Sequence, residues 1–71
     1  MTLPNSPKIE AAGKDAKRFT RDEKILAVIY RLANGRWALF DANDVRMATE
    51  SFETPAQARR AYSAIEQARN A

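Results

Sequence analysis

Arginine is the side chain in this sequence best suited to act on a partner. Arg31, Arg36 and Arg46 flank one aromatic ring, Phe40. A guanidinium is planar, permanently charged and forked, so it matches phosphate oxygens and base edges. An aromatic ring among such groups gives a nucleic-acid chain a surface to rest on. Lys14, Lys17, Arg18 and Arg21 add positive charge upstream. Every lysine lies at or before Lys24, and from Ile25 onward all basic residues are arginine. A GC-rich coding sequence produces the same bias. The net charge of +3, from 12 basic and 9 acidic residues, suits a polyanion without being diagnostic of one.

Other chemistry is poorly provided for. The chain has no histidine and no cysteine. The usual general base, thiol nucleophile, zinc ligands and disulfides are therefore missing. Ser51 and Ser63 have no activating partner in the sequence. Asp41 and Asp44 flank a turn, where aspartate is expected for backbone reasons. The stretch from Asp41 to Asp44 lacks the ligand spacing of a calcium-binding EF-hand. The two glycines, Gly13 and Gly35, build no phosphate-cradling loop. No enzyme activity, cofactor or metal is expected. No segment is apolar for long enough to span a bilayer, and the N-terminus lacks the apolar core of a secretory signal. A cytoplasmic location with no membrane contact is the expectation.

These side chains must be held by a small scaffold. Seventy-one residues make one domain at most. Residues 1–22 carry Pro4, Pro7, Gly13 and scattered charge around few large apolar residues. They are expected to be a flexible basic tail, with residues 23–71 forming the domain. Lys24 to Leu32 is apolar and β-branched and reads as a strand. Asn34-Gly35 is a strong hairpin signal, Arg36 to Asp41 a second strand, and Val45 to Phe52 a third after the turn Ala42-Asn43-Asp44. A helix follows. Thr54 is its N-cap, Pro55 its first residue and Gln57 the partner in a capping box. Ala58, Ala61, Tyr62 and Ile65 form one apolar stripe along it. The expected fold is α+β: a three-stranded antiparallel meander packed on one face by a C-terminal helix, βββα.

Register decides which residues face the core. A two-residue turn at Asn34-Gly35 pairs Ala33 with Arg36, and a three-residue loop pairs Asp41 with Val45. Leu26, Val28, Tyr30, Leu32, Trp37, Leu39, Val45 and Met47 then form the core face. Ala27, Ile29, Arg31, Arg36, Ala38, Phe40, Arg46, Ala48 and Glu50 form the other. One helix covers one face, so the second meets solvent or a partner. A one-residue slip would exchange the faces.

The run from Trp37 to Tyr62, with Trp37, Ala38 and Asp41, then Phe52, Glu53, Thr54, Ala58, Ala61 and Tyr62, resembles the ethylene-response-factor (APETALA-type) DNA-binding domain. It is similar as well to the arm-binding domains of tyrosine recombinases. The resemblance covers roughly Ile25 to Ala68. It implies a sheet face lying in a DNA major groove, with Arg36, Ala38 and Phe40 on one strand and Arg46 and Ala48 on the next. Ala38, Phe40 and Ala48 stand where that family favours charged residues and tryptophan.

The leading expectation is a small nucleic-acid-binding accessory protein of the kind common in phages and mobile elements. Arg31, Arg36, Phe40 and Arg46 are its sheet-face contacts, and Lys14, Lys17, Arg18 and Arg21 its electrostatic supplement. Two alternatives stay open. One is a protein-interaction module or homodimer using the same face through Ile29, Phe40 and the alanines. The other is an accessory domain with no independent activity.

Overall fold

A computed structural model describes residues 7–69. Strands β1 (Lys8–Gly13), β2 (Ala16–Arg21), β3 (Lys24–Arg31) and β4 (Trp37–Asp41) precede one helix, α1 (Pro55–Arg69). The strands form a single antiparallel sheet in the order β1-β2-β3-β4. The α+β class and the C-terminal helix stand, but the sheet has four strands rather than three.

The first correction lies at the N-terminal end. Residues 8–21 of the expected flexible tail form β1 and β2; residues 1–6 lie outside the described residues. Ile9 and Phe19 are in register across these strands, and Phe19 is fully buried. One large apolar side chain per strand is enough here because β3 supplies the rest of the surface. Asp22 and Glu23 both have positive φ, 52° and 66°, between the paired Arg21 and Lys24. That is the two-residue turn that matches strand twist, built without glycine or asparagine.

The second correction lies after β4. Val45 to Phe52 is not a regular strand. It touches β4 at two isolated bridges, Phe40 with Arg46 and Trp37 with Phe52. At the first end the expected register holds: Asp41 N donates to Val45 O (2.8 Å) and Met47 N to Leu39 O (2.9 Å). At the second, Trp37 and Phe52 exchange both backbone hydrogen bonds, at 2.7 and 2.8 Å. Three more residues separate the bridges on this segment than on β4 (46 to 52 against 37 to 40), so the intervening chain bends away.

The third correction concerns register. Ile29 pairs with Leu39 and Arg31 with Trp37, one residue from the expected alignment. Gly35 N donates to Leu32 O and Leu32 N to Arg36 O, and only Gly35 in this loop has positive φ, 84°. This is a three-residue loop, Ala33-Asn34-Gly35, ending in a left-handed residue. The loop at Ala42-Asn43-Asp44 has the same form. Asp44 N donates to Asp41 O, and Asp44 takes the left-handed position at φ 62°. The slip moves Ala27 and Ile29 onto the core face and turns Val28 and Tyr30 away from it.

The core therefore contains Phe19, Ala27, Ile29, Trp37 and Leu39 from the sheet, with Phe52, Ala58 and Tyr62. Ile9, Leu26, Met47, Ala48, Ala61 and Ile65 pack around it. Tyr62 meets Phe19 edge to face, with ring centroids 6.1 Å apart. The helix stripe thus closes on the sheet as its spacing predicts. Its start is capped: Thr54 Oγ1 accepts from Gln57 N at 3.2 Å. Gln57 Oε1 in turn accepts from Glu53 N, one residue before the expected position.

Candidate binding face of the sheet

α1 covers one side of the sheet and leaves the other open. Alternation along the paired strands places Lys8 and Glu10 of β1, Arg18 and Thr20 of β2, Val28 and Tyr30 of β3, and Ala38 and Phe40 of β4 on the open side. Arg46 joins them through its bridge to Phe40. The centre is apolar and aromatic. Tyr30 and Phe40 meet edge to face at 5.4 Å, and Val28 is in register with Phe40. Ala38 is fully buried even on this side. Tyr30 is 39% exposed, and Ile25, in register with Thr20, is 47% exposed.

The eight basic and aromatic residues singled out in the sequence do not gather on one surface. Phe40, Arg18 and Arg46 lie on the open side. Arg36, in register with Leu32 at the loop, lies at its end. Arg31 is opposite Trp37 on the helix side, its guanidinium carbon 5.0 Å from the centre of the Trp37 ring. Lys17 is in register with Ile29, also on the helix side. Lys14 is exposed in the β1–β2 turn. Arg21 turns to the helix, where Nη1 and Nη2 donate to the two carboxylate oxygens of Glu66 at 2.9 and 2.8 Å.

Several guanidiniums already bind their own chain. Arg36 Nε donates to Ser51 Oγ and Nη2 to Ser51 O, both at 2.7 Å. Arg46 Nε donates to Ala48 O at 2.8 Å, with a longer contact from Nη2 to Thr49 O. Together they fasten the bent segment from Ala48 to Ser51. Its carbonyls lack the partners of a regular strand, and the arginine forks supply them. Arg36 also lies 3.7 Å from Glu53, an exposed ion pair of little energetic weight. Arg18 faces Glu10 across the β1–β2 pair at 3.4 Å.

Electrostatics separate the two sides further. The Arg21 hydrogen bonds hold the Glu66 carboxyl below its ordinary range, against the opposing effect of burial. Burial, then the Glu66 charge, raises the Tyr62 hydroxyl. On the open side, Tyr30 Oη donates to Asp44 Oδ1 at 3.3 Å, and the Asp44 charge is the first cause of its raised pKa.

Tyr30 is the functional candidate that sequence reasoning assigned to the core. The signal that would have exposed it is the repetition of Ala-Asn at 33–34 and 42–43. Two loops alike in sequence take the same three-residue form, and that form puts Tyr30 outside. No grouping of acidic side chains able to hold a metal ion occurs among the described residues. No helix among them is long and apolar enough to cross a membrane. No family model, curated protein or solved structure matches the chain.

Proposed function

We propose that this chain is a small nucleic-acid-binding accessory protein that presents the open side of its sheet to DNA or RNA. The observation that carries this reading is the Tyr30–Phe40 ring pair, exposed at Tyr30 and half-buried at Phe40, with Arg18 and Arg46 on the same side. Rings provide stacking surface and the arginines provide charge for phosphates. Arg36 and Lys14 add charge at the end of the sheet where the β1–β2 and β3–β4 turns lie. Arg21 and Arg31, turned to the helix side, serve packing in this reading. The resemblance to sheet-face DNA-binding domains gives the same surface the same role.

The test is an NMR titration of the labelled protein with short oligonucleotides at low and moderate salt. Shifts should concentrate at Arg18, Tyr30, Phe40 and Arg46. Neutralising roughly three phosphates gives a log affinity against log salt slope of about −2 to −3. Shifts confined to the outer face of α1, or none at all, would sink the assignment.

A second reading rests on Ile25, an exposed aliphatic residue of the open side. With Val28, Tyr30 and Phe40 it extends an apolar surface that a protein or a second copy would cover. Light scattering during size-exclusion chromatography separates the two. A dimer that loses its symmetry contact on Phe40→Asp, without oligonucleotide binding, favours this second reading.

A further inference from the structure

The geometry points to single-stranded nucleic acid, rather than duplex, as the ligand of the open sheet face; this rests on the nucleic-acid reading above. A duplex hides the faces of its bases and presents their edges in the grooves. Reading edges from a sheet needs long donors projecting from the middle of its face. The inner strands β2 and β3 place Arg18, Thr20, Val28 and Tyr30 in the middle of this face, and β4 sets Ala38 and Phe40 beside them. Thr20 is buried, Arg18 Nε is drawn to Glu10 at 3.4 Å, and the Tyr30 hydroxyl is directed at Asp44.

The arginines lead to the same conclusion. A bidentate contact to guanine uses two parallel N–H groups of one fork. In Arg36 and Arg46, Nε and Nη2 are both turned to the chain's own oxygens. Their positive charge remains for phosphates, but the Nε–Nη2 edge of each fork is engaged. The open face is thus rich in ring surface, with Arg18 as the long donor of its inner strands. That combination suits unpaired bases, which every sequence offers as π-faces.

The dimensions agree. Neighbouring strands lie about 4.8 Å apart, so β1 to β4 spans roughly 15 Å, room for two or three extended nucleotides. Lys8 and Arg18 flank one side of the ring pair and Arg46 the other. The acidic groups along the path include Glu10, Asp44 and, beside Arg18 and Ile25, Glu23. Glu10 is met by Arg18, and Asp44 by the Tyr30 hydroxyl.

Fluorescence anisotropy with the full chain tests this. The probes are a labelled 15-nucleotide oligothymidylate and a labelled 15-base-pair duplex, each in 50 mM salt. The single strand should bind at least about tenfold more tightly, and Phe40→Ala should weaken it about tenfold. Tyr30→Ala, which removes the more exposed ring, should do the same and guards against a Phe40 variant that fails to fold. Duplex binding equal to or tighter than single-strand binding would overturn this inference and leave the sheet-face function standing. Loss of neither ring affecting single-strand affinity would also overturn it. Binding of neither probe would remove both.

Discussion

The two faces of this sheet are made from the same four strands, yet they are different materials. On the helix side Phe19, Ala27, Ile29 and Leu39 are wholly removed from water and Trp37 nearly so. On the open side an aromatic pair, two ion-pairing or hydrogen-bonded arginines and scattered aliphatics share the surface. The difference teaches that hydrophobicity alone did not choose the core side of β3. Its sequence is apolar on both faces, so the choice fell to the loops and to β2. Phe19 could be buried with Ala27 and Ile29 only if those residues faced the helix.

The largest expected effect comes from attacking that choice. Phe19→Ala removes the side chain that joins β2 to Tyr62 of the helix. Loss of a buried Phe costs about 3–5 kcal/mol. A domain of this size has little stability beyond that, so the variant should be largely unfolded at 25 °C. Circular dichroism with urea titration reads it. A variant that keeps a sharp transition at the wild-type midpoint would show that β2 is not part of the folded core.

The next effect tests the loop that sets the faces apart. Gly35 holds φ +84° with open space where a Cβ would stand. Gly35→Val meets nothing at its Cβ and costs at least about 1–2 kcal/mol through the strain of a β-branched residue at positive φ. A urea midpoint that falls while the slope stays fixed is the expected result. Asp44→Gly, at the corresponding place in the second loop, relieves the same strain and should move the midpoint the other way. If Gly35→Val had no effect, position 35 would not need its left-handed conformation and this loop would not be what sets the register.

This loop also explains how much of the molecule was legible in the sequence. The helix was readable apart from one cap contact, because its N-cap, its N1 proline and its apolar stripe are local signals that agree with one another. β3, β4 and the Ala42–Asp44 loop were readable for the same reason. Asn34-Gly35 carried two meanings, a two-residue turn or the end of a three-residue loop, and the wrong one transposes the faces of β3. β1 and β2 were hidden because Ile9 and Phe19 have value only as a pair across a turn. Their link to β3, Asp22-Glu23, uses residues that seldom adopt positive φ. Of the site, Arg18, Phe40 and Arg46 were found on the open side. Arg21 and Arg31 resemble them in sequence and differ only in parity along a strand.

That parity gives Arg21 its partner and supplies a pH test. Glu66 accepts two hydrogen bonds from Arg21 and is only partly exposed. Its folded pKa lies below the ordinary 4.5, so the pair contributes stability above that value. The contribution disappears as pH falls through the lowered folded value. Arg21 stays protonated throughout and adds no titration of its own. Glu66→Gln should cost about 1 kcal/mol at pH 7. Urea midpoints measured at pH 7 and pH 3 should show the wild type losing more than the variant. Equal losses would mean that the pair does not couple the helix to the sheet.

The smallest expected effect lies on the open face and discriminates most between its two uses. Ile25→Thr keeps a β-branched side chain at an exposed position of this face, so stability should change by no more than about 0.5 kcal/mol. Under the nucleic-acid reading the oligonucleotide contacts run through Tyr30, Phe40 and the arginines, and affinity should stay within twofold. Under the apolar self-association reading the Ile25 side chain enlarges the buried area, and dimerisation should weaken. The variant therefore separates the readings without disturbing the fold. An unchanged oligonucleotide affinity in a monomer assigns the face to nucleic acid, whereas a dimer that dissociates on this change assigns it to protein.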